Sequence, residues 1–177
     1  VTRPSVAESQ PTPAAAASSS GLFLAGIAAV IVLDQLVKWA IVRTLPVYES
    51  LHVIPGMLDL THVRNTGLAY GVLNDSALPY KGVLTTALAL MALAGIALYA
   101  RQLQAHERWA RRGLMLILGG ALGNLTDRII NGAGFTGGVT DFIDLHVWPV
   151  FNAADSAVVL GAIALVLLSA RRDARDA

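Results

Sequence analysis

The chain contains no cysteine, which excludes a disulfide framework, a thiolate nucleophile and a thiolate metal site. Any catalysis must use oxygen or nitrogen groups. Charge is scarce as well. Asp, Glu, Lys and Arg make up 14% of the 177 residues and nearly cancel at a formal +1, so nothing indicates a nucleic-acid partner. The chain is instead 55% hydrophobic with a mean hydropathy of +0.59, too apolar for an ordinary soluble domain of this length. A membrane protein is the first inference.

Residues 1–20, rich in Ala, Ser, Pro and Thr, lack hydrophobic periodicity and read as a disordered tail. The apolar run that follows is too long for a cleaved signal peptide and holds Asp34 and Lys38, so it is expected to stay in the protein. A bilayer core requires about 20 helical residues. Four stretches come close: Gly21 to Val42, Gly82 to Ala100, Gly113 to Ile130 and Ala153 to Ala170. The upper boundary of the third is open, because its end contains Asn124, Asp127 and Arg128.

Basic residues stay in the cytoplasm. Arg101, Arg108, Arg111 and Arg112 lie between the second and third stretches, and Arg171, Arg172 and Arg175 follow the fourth. Both termini, including the tail 171–177, are therefore expected in the cytoplasm, and segments 44–81 and 131–152 on the outer side. In the first outer segment, partial alternation around Pro55-Gly56 predicts short strands and a small sheet on the membrane surface. Gly132, Gly134, Gly137 and Gly138 predict a pliable loop leading to Asp141. The expected fold is an all-α membrane protein with four transmembrane helices plus a small extracytoplasmic β-sheet, its membrane domain spanning 21–170.

An ionisable group inside a bilayer is a functional candidate by default. Asp34 and Lys38, spaced i, i+4, share a helix face and can neutralise each other, either as a structural ion pair or as part of a site. Asn124 and Asp127 share a face at i, i+3, and Arg128 can hold a carbonyl or a lipid headgroup. Asp141 and Asp144 precede the fourth stretch and Asp155 opens it. The short connection makes the third and fourth stretches neighbours, so two carboxyls can converge near the outer surface. Such a pair hydrolyses peptides without a covalent intermediate: the ionised member takes a proton from water and the protonated one supports the carbonyl. Asp155, in the first turn of a helix, is expected to hold the charge and Asp141 the shared proton. Spacing alone does not establish the pair, because carboxylates beside a loop are more often solvated or capping groups. His52, His62, His106 and His146 show no His-Glu-x-x-His pattern, so no metal or other cofactor is expected, and Ser156 lies in no Gly-x-Ser-x-Gly elbow. Trp39, Trp109 and Trp148 sit near the ends of the stretches, as in an interfacial aromatic belt.

Several of these elements together resemble the bacterial lipoprotein signal peptidases (signal peptidase type II). Asp34-Gln-Leu-Val-Lys38 is similar to the family's first-helix Asp-x-x-x-Lys. Asn65-Thr-Gly-Leu-Ala-Tyr-Gly71 resembles its Asn-x-Gly-x-x-Phe-Gly element with Tyr70 in the Phe position, and Gly119 to Arg128 its Gly-Gly-x-x-Gly-Asn-x-x-Asp-Arg block. Val139-Thr-Asp-Phe142 and Phe151-Asn-Ala-Ala-Asp-Ser156 look like its two catalytic elements. The link from Arg128 to Val139 is longer than is usual in the family.

The resemblance implies an aspartic endopeptidase of the cytoplasmic membrane with its active site at the outer face, working as a monomer among membrane lipids. Asp141 and Asp155 would be catalytic, with Asp144 as a nearby rival to Asp141. Asn65, Gly67, Asn124, Arg128 and Asn152 would position substrate, and Asp34, Lys38 and Asp127 would support the site. The implied substrate is a prolipoprotein with a diacylglyceryl-modified cysteine, cut just before that residue. Two other readings are a small proton-coupled transporter or channel with Asp34, Lys38, Asp127 and Asp155 as a relay, and a noncatalytic assembly factor.

Overall fold

The computed structural model describes residues 13–67, 80–103, 107–132 and 137–176. Tyr70, Gly71, His106 and Gly134 lie outside them, as does the tail before residue 13. The order is α1 (Pro13–Thr44), β1 (Ser50–Ile54), β2 (Leu58–Asn65), α2 (Lys81–Gln102), α3 (Arg108–Ile130), β3 (Val139–Asp144) and α4 (Ala153–Asp176). Helices α1, α2 and α3 are each long and apolar enough to cross a membrane, over Ser20–Thr44, Lys81–Gln102 and Trp109–Ile130. The apolar part of α4 is shorter, Ala153–Leu167 among the described residues.

Helix α1 begins at Pro13, well before the expected start at Gly21, so residues 13–20 are helical. Proline suits the first position of a helix, where its missing N–H has no intrahelical use, and the alanines behind it are the best helix formers. Helix α3 runs unbroken through Asn124, Asp127 and Arg128 to Ile130, which settles the open boundary.

Polarity is turned inside out. Leu22, Leu24 and Leu33 of α1, Met91 and Leu98 of α2 and Val166 of α4 are exposed, whereas Asp34, Lys38, Asp127 and Asn152 are each no more than 3% exposed. That distribution fits an apolar solvent, in which buried polar groups must satisfy one another.

Glycines allow the close helix contacts that gather these groups. A Cβ on Gly119 would meet Val30 Cβ at 2.6 Å, and one on Gly123 would meet Asp34 Oδ2 at 2.7 Å, so the Gly119/Gly123 face of α3 receives α1. The Gly113/Gly120 face receives α4: a Cβ on Gly120 would run into the carbonyl oxygen of Ala154, and one on Gly113 would meet the Gly161 carbonyl oxygen at 2.9 Å. The glycine block thus presents one smooth face to each neighbour.

The sheet is three-stranded and antiparallel in the order β1-β2-β3. The β1–β2 hairpin turns through Pro55-Gly56, as expected, with Gly56 at φ 71°. Strand β3 corrects the expectation that Asp141 rides on a pliable loop. Val139 and Thr140 pair with Asn65 and Arg64, and Asp141 pairs with Val63. The β-branched and aromatic residues from Val139 to Ile143 suit a strand, but their partner lies far back in the chain and leaves no local signal.

Candidate active site

The site begins with the start of α4. Asn152 caps this helix and Asp155 is its third residue. The Asn152 Oδ1 accepts the Asp155 backbone N–H at 2.9 Å, and Asp155 Oδ2 accepts the Asn152 backbone N–H at 3.2 Å. This reciprocal pair is a capping box, which satisfies two otherwise unpaired N–H groups and fixes the Asp155 carboxyl over a helix N-terminus. A third N–H at the same terminus, that of Ala154, donates to Asp34 Oδ1 of α1 at 2.9 Å. Asp34 therefore ties α1 to α4 as well as pairing with Lys38.

Asp141 reaches the same place through a short return of the chain. After β3, Phe151 bridges back to Ile143, with Ile143 N–H to Phe151 O at 2.7 Å and Phe151 N–H to Ile143 O at 3.1 Å. The bridge sets Asn152 beside β3, where its Nδ2 donates to Asp141 Oδ1 at 2.7 Å. The other Asp141 oxygen accepts from Asn65 Nδ2 at 2.9 Å, and the Asn65 Oδ1 is occupied by the Gly67 N–H at 2.9 Å. Asn124 Nδ2 donates to Asp155 Oδ1 at 2.8 Å, while its own oxygen accepts from Asn152 Nδ2 at 3.0 Å and from Lys38 Nζ at 2.8 Å. Each of the four carboxyl oxygens accepts one N–H, and Asn152 contacts both acids.

Beneath this ring lies a network of charges. Lys38 Nζ lies 2.8 Å from Asp34 Oδ2 and 3.3 Å from Asp127 Oδ2. Asp127 also accepts from Gln35 Nε2 at 2.9 Å and from the Thr140 backbone N–H at 2.8 Å, which anchors β3 one residue before Asp141. Arg128 donates to the Gly67 carbonyl and, at 3.2 Å, to Thr85 Oγ1 of α2, joining the end of β2 to the helices. Burial above all, and then the nearby Asp155 charge, push the Asp141 carboxyl up to about 7, against the pull of its amide hydrogen bonds and of Lys38.

All ten residues singled out in the sequence thus fall into one network of α1, β2, α3, β3 and α4. Asp144 does not join it. Three residues beyond Asp141 on a strand, it points to the opposite face, where it accepts the His146 backbone N–H at 2.8 Å and the Thr61 hydroxyl at 3.4 Å. The three asparagines expected to position substrate have their side chains on the two aspartates. Gln35 and Thr85 were not singled out in the sequence, although each is a polar residue inside an otherwise apolar stretch. Among the described residues no group of three His, Asp or Glu is placed to hold a metal ion.

Comparison with known proteins bears on the same region. Residues 26–171 match the family described as signal peptidase (SPase) II. The chain is 41% identical over 157 residues to the lipoprotein signal peptidase of Solibacter usitatus, covering 86% of this chain and 92% of that protein. It is 40% identical over 149 residues to the lipoprotein signal peptidase of Geobacter metallireducens, covering 82% and 87%. Its fold resembles a bacterial membrane enzyme solved in meso at 2.3 Å resolution, with a TM-score of 0.72 and 29% identity over 88% of this chain and 91% of the other. The family match runs from residue 26 in α1 to residue 171 in α4 and so takes in every residue of the buried aspartate network, and the chain belongs to the signal peptidase II family.

Proposed function

We propose that the chain is an aspartic endopeptidase of the bacterial cytoplasmic membrane that removes the signal peptide from prolipoproteins just before a diacylglyceryl-modified cysteine, with Asp141 and Asp155 as its catalytic pair. The observation that carries this reading is Asn152, which holds both carboxyls at once. Two acids so coupled share a proton readily, and the raised Asp141 supplies it near neutral pH.

In the proposed reaction the ionised Asp155 takes a proton from a water molecule as its oxygen attacks the scissile carbonyl carbon. Protonated Asp141 donates to the carbonyl oxygen, giving a gem-diol. Collapse of that intermediate breaks the C–N bond, and a proton passes from the pair to the departing amine. Asn65, Asn124 and Asn152 hold the two acids during these transfers. Arg128, anchored on the Gly67 carbonyl, keeps the end of β2 against the helices and so shapes the approach of substrate.

For the membrane arrangement we take α4 as a fourth span beside the three longer helices, with 21–170 as the membrane domain. Both termini are cytoplasmic and the sheet lies on the outer face, where the end of a signal helix and its lipid would arrive. The aromatic contacts of Arg111 with Phe23 and of Arg112 with Trp109, at 5.1 and 4.5 Å, suit a cytoplasmic interface at the start of α3. We read the enzyme as a monomer needing no cofactor. A proton-relay transporter is not supported, because Asp34, Lys38 and Asp127 are bound to one another and to neighbouring amides, and the family is a peptidase.

The test is cleavage of a diacylglyceryl-modified prolipoprotein by purified protein. Asp141→Asn and Asp155→Asn should each lower the rate by at least about 100-fold while the protein stays folded. A folded, active Asp155→Asn protein would sink the pair, and loss of activity in Asp144→Asn with Asp141→Asn still active would move the assignment to Asp144.

A further inference from the structure

We propose that Lys38 is a positioning residue for the aspartate pair: together with Asn152 it fixes the orientation of the Asn124 side-chain amide, which keeps an N–H donor on Asp155 Oδ1 and so favours the ionised form of that acid, the one that takes the proton of water. The inference rests on Asp141 and Asp155 being the catalytic pair and adds to it a residue that acts on Asp155 through Asn124.

An ammonium has three N–H donors and no acceptor. In Lys38 all three are used, on Asp34 Oδ2 and Asn124 Oδ1 at 2.8 Å and on Asp127 Oδ2 at 3.3 Å. Lys38 therefore does not need to touch Asp155 to control it. Because the Asn124 oxygen must face Lys38, and the Asn152 Nδ2 donates to the same oxygen at 3.0 Å, the Asn124 Nδ2 is turned to Asp155 Oδ1 at 2.8 Å. An amide N–H that donates to a carboxylate favours its ionised form. The other Asp155 oxygen accepts the Asn152 backbone N–H. Without Lys38 only the Asn152 Nδ2 holds the Asn124 amide in this sense, and a turned amide would offer its oxygen to Asp155, an arrangement that requires a protonated Asp155.

The charged groups facing the pair are Lys38 and Asp34 from α1, Asp127 and Arg128 from α3, and the two acids themselves from β3 and α4. Lys38 and Arg128 are the cations in this set. Only Lys38 is hydrogen-bonded to an amide that holds one of the acids. Only 3% exposed and bonded to partners on both α1 and α3, it is also held still enough to impose an orientation.

The experiment compares the parent with Lys38→Met in detergent, using a diacylglyceryl-modified prolipoprotein. The expected result is a fall in kcat of roughly 10- to 100-fold with KM little changed. The alkaline limb of the kcat profile should move to higher pH, and the titration of 13C-labelled aspartate carboxyls followed by NMR should be altered. A Lys38→Met protein that is folded with an unmoved limb and parental carboxyl titration overturns the inference. The double variant Asp34→Asn/Lys38→Met removes the two charges together while keeping an acceptor oxygen for the Ala154 N–H. If the single variant fails to fold, the same shift is required of the double one. Failure of both to fold assigns Lys38 to packing alone and also overturns the inference. A wrong choice of pair is distinguished separately, by retained activity in Asp141→Asn or Asp155→Asn.

Discussion

Asp141 is a strand residue whose burial, and then the charge of Asp155 beside it, favour the protonated carboxyl near neutral pH. Its carboxyl is raised from 3.8 to about 7. A group whose folded value exceeds its unfolded one contributes fully below the unfolded value, and that contribution is lost as pH rises through the folded value. The native protein should therefore lose stability between about pH 4 and 7, by something on the order of 4 kcal/mol from this residue. Asp141→Asn, which never ionises, should escape the loss. Melting temperatures of the two proteins in detergent should be similar near pH 4 and diverge until about pH 7, with Asp141→Asn the more stable. Parallel curves across that range would contradict the raised carboxyl. Asp155 owes its placement to a different device, the capping box with Asn152, so one residue pair both starts a helix and orients an acid.

At the scale of elements, the glycines of α3 decide whether the residues above meet. Gly120→Val would force a branched side chain against the Ala154 carbonyl, two residues from Asn152 and next to Asp155. Overpacking of that kind costs about 1–3 kcal/mol, and more where the obstacle is backbone. A clear drop in thermal stability together with loss of cleavage is expected. Gly95→Ala on α2, where nothing lies within 4 Å, should be tolerated in both assays. The legibility of the chain divides along the same line. Helices were readable because their apolar runs are local, and the β1–β2 hairpin because Pro55-Gly56 marks its turn. Strand β3 was not, since its pairing residues, Val63 to Asn65, lie some seventy or more positions earlier. Likewise the asparagines were recognisable as site residues, but their partners were not, because Asn65 with Asp141 is a contact made only by folding. Gln35 was passed over beside the more conspicuous Asp34, although it bonds Asp127 and the Gly123 carbonyl.

For the whole molecule, the apolar exterior and the buried network predict a fixed orientation in the membrane. The absence of cysteine makes this simple to examine, since any introduced thiol is the only one. Glu49→Cys, on the exposed approach to β1, should react with a membrane-impermeant maleimide added to cells or spheroplasts. Gln102→Cys, at the end of α2, should react only after the membrane is opened. The reverse pattern would invert the proposed topology.

The capping of α4 has a further consequence, in time. Synthesis proceeds from Asn65 and Lys38 through Asn124, then to Asp141, and reaches Asn152 and Asp155 after nearly every residue that will surround them. Asn65 and Asn124, two of the three asparagines that grip the acids, are thus made before either acid, and a nascent chain halted before Asn152 lacks both the shared amide and Asp155. Because Asn152 starts α4 and also joins the two carboxyls, the start of the final helix and the joining of Asp141 to Asp155 depend on one residue.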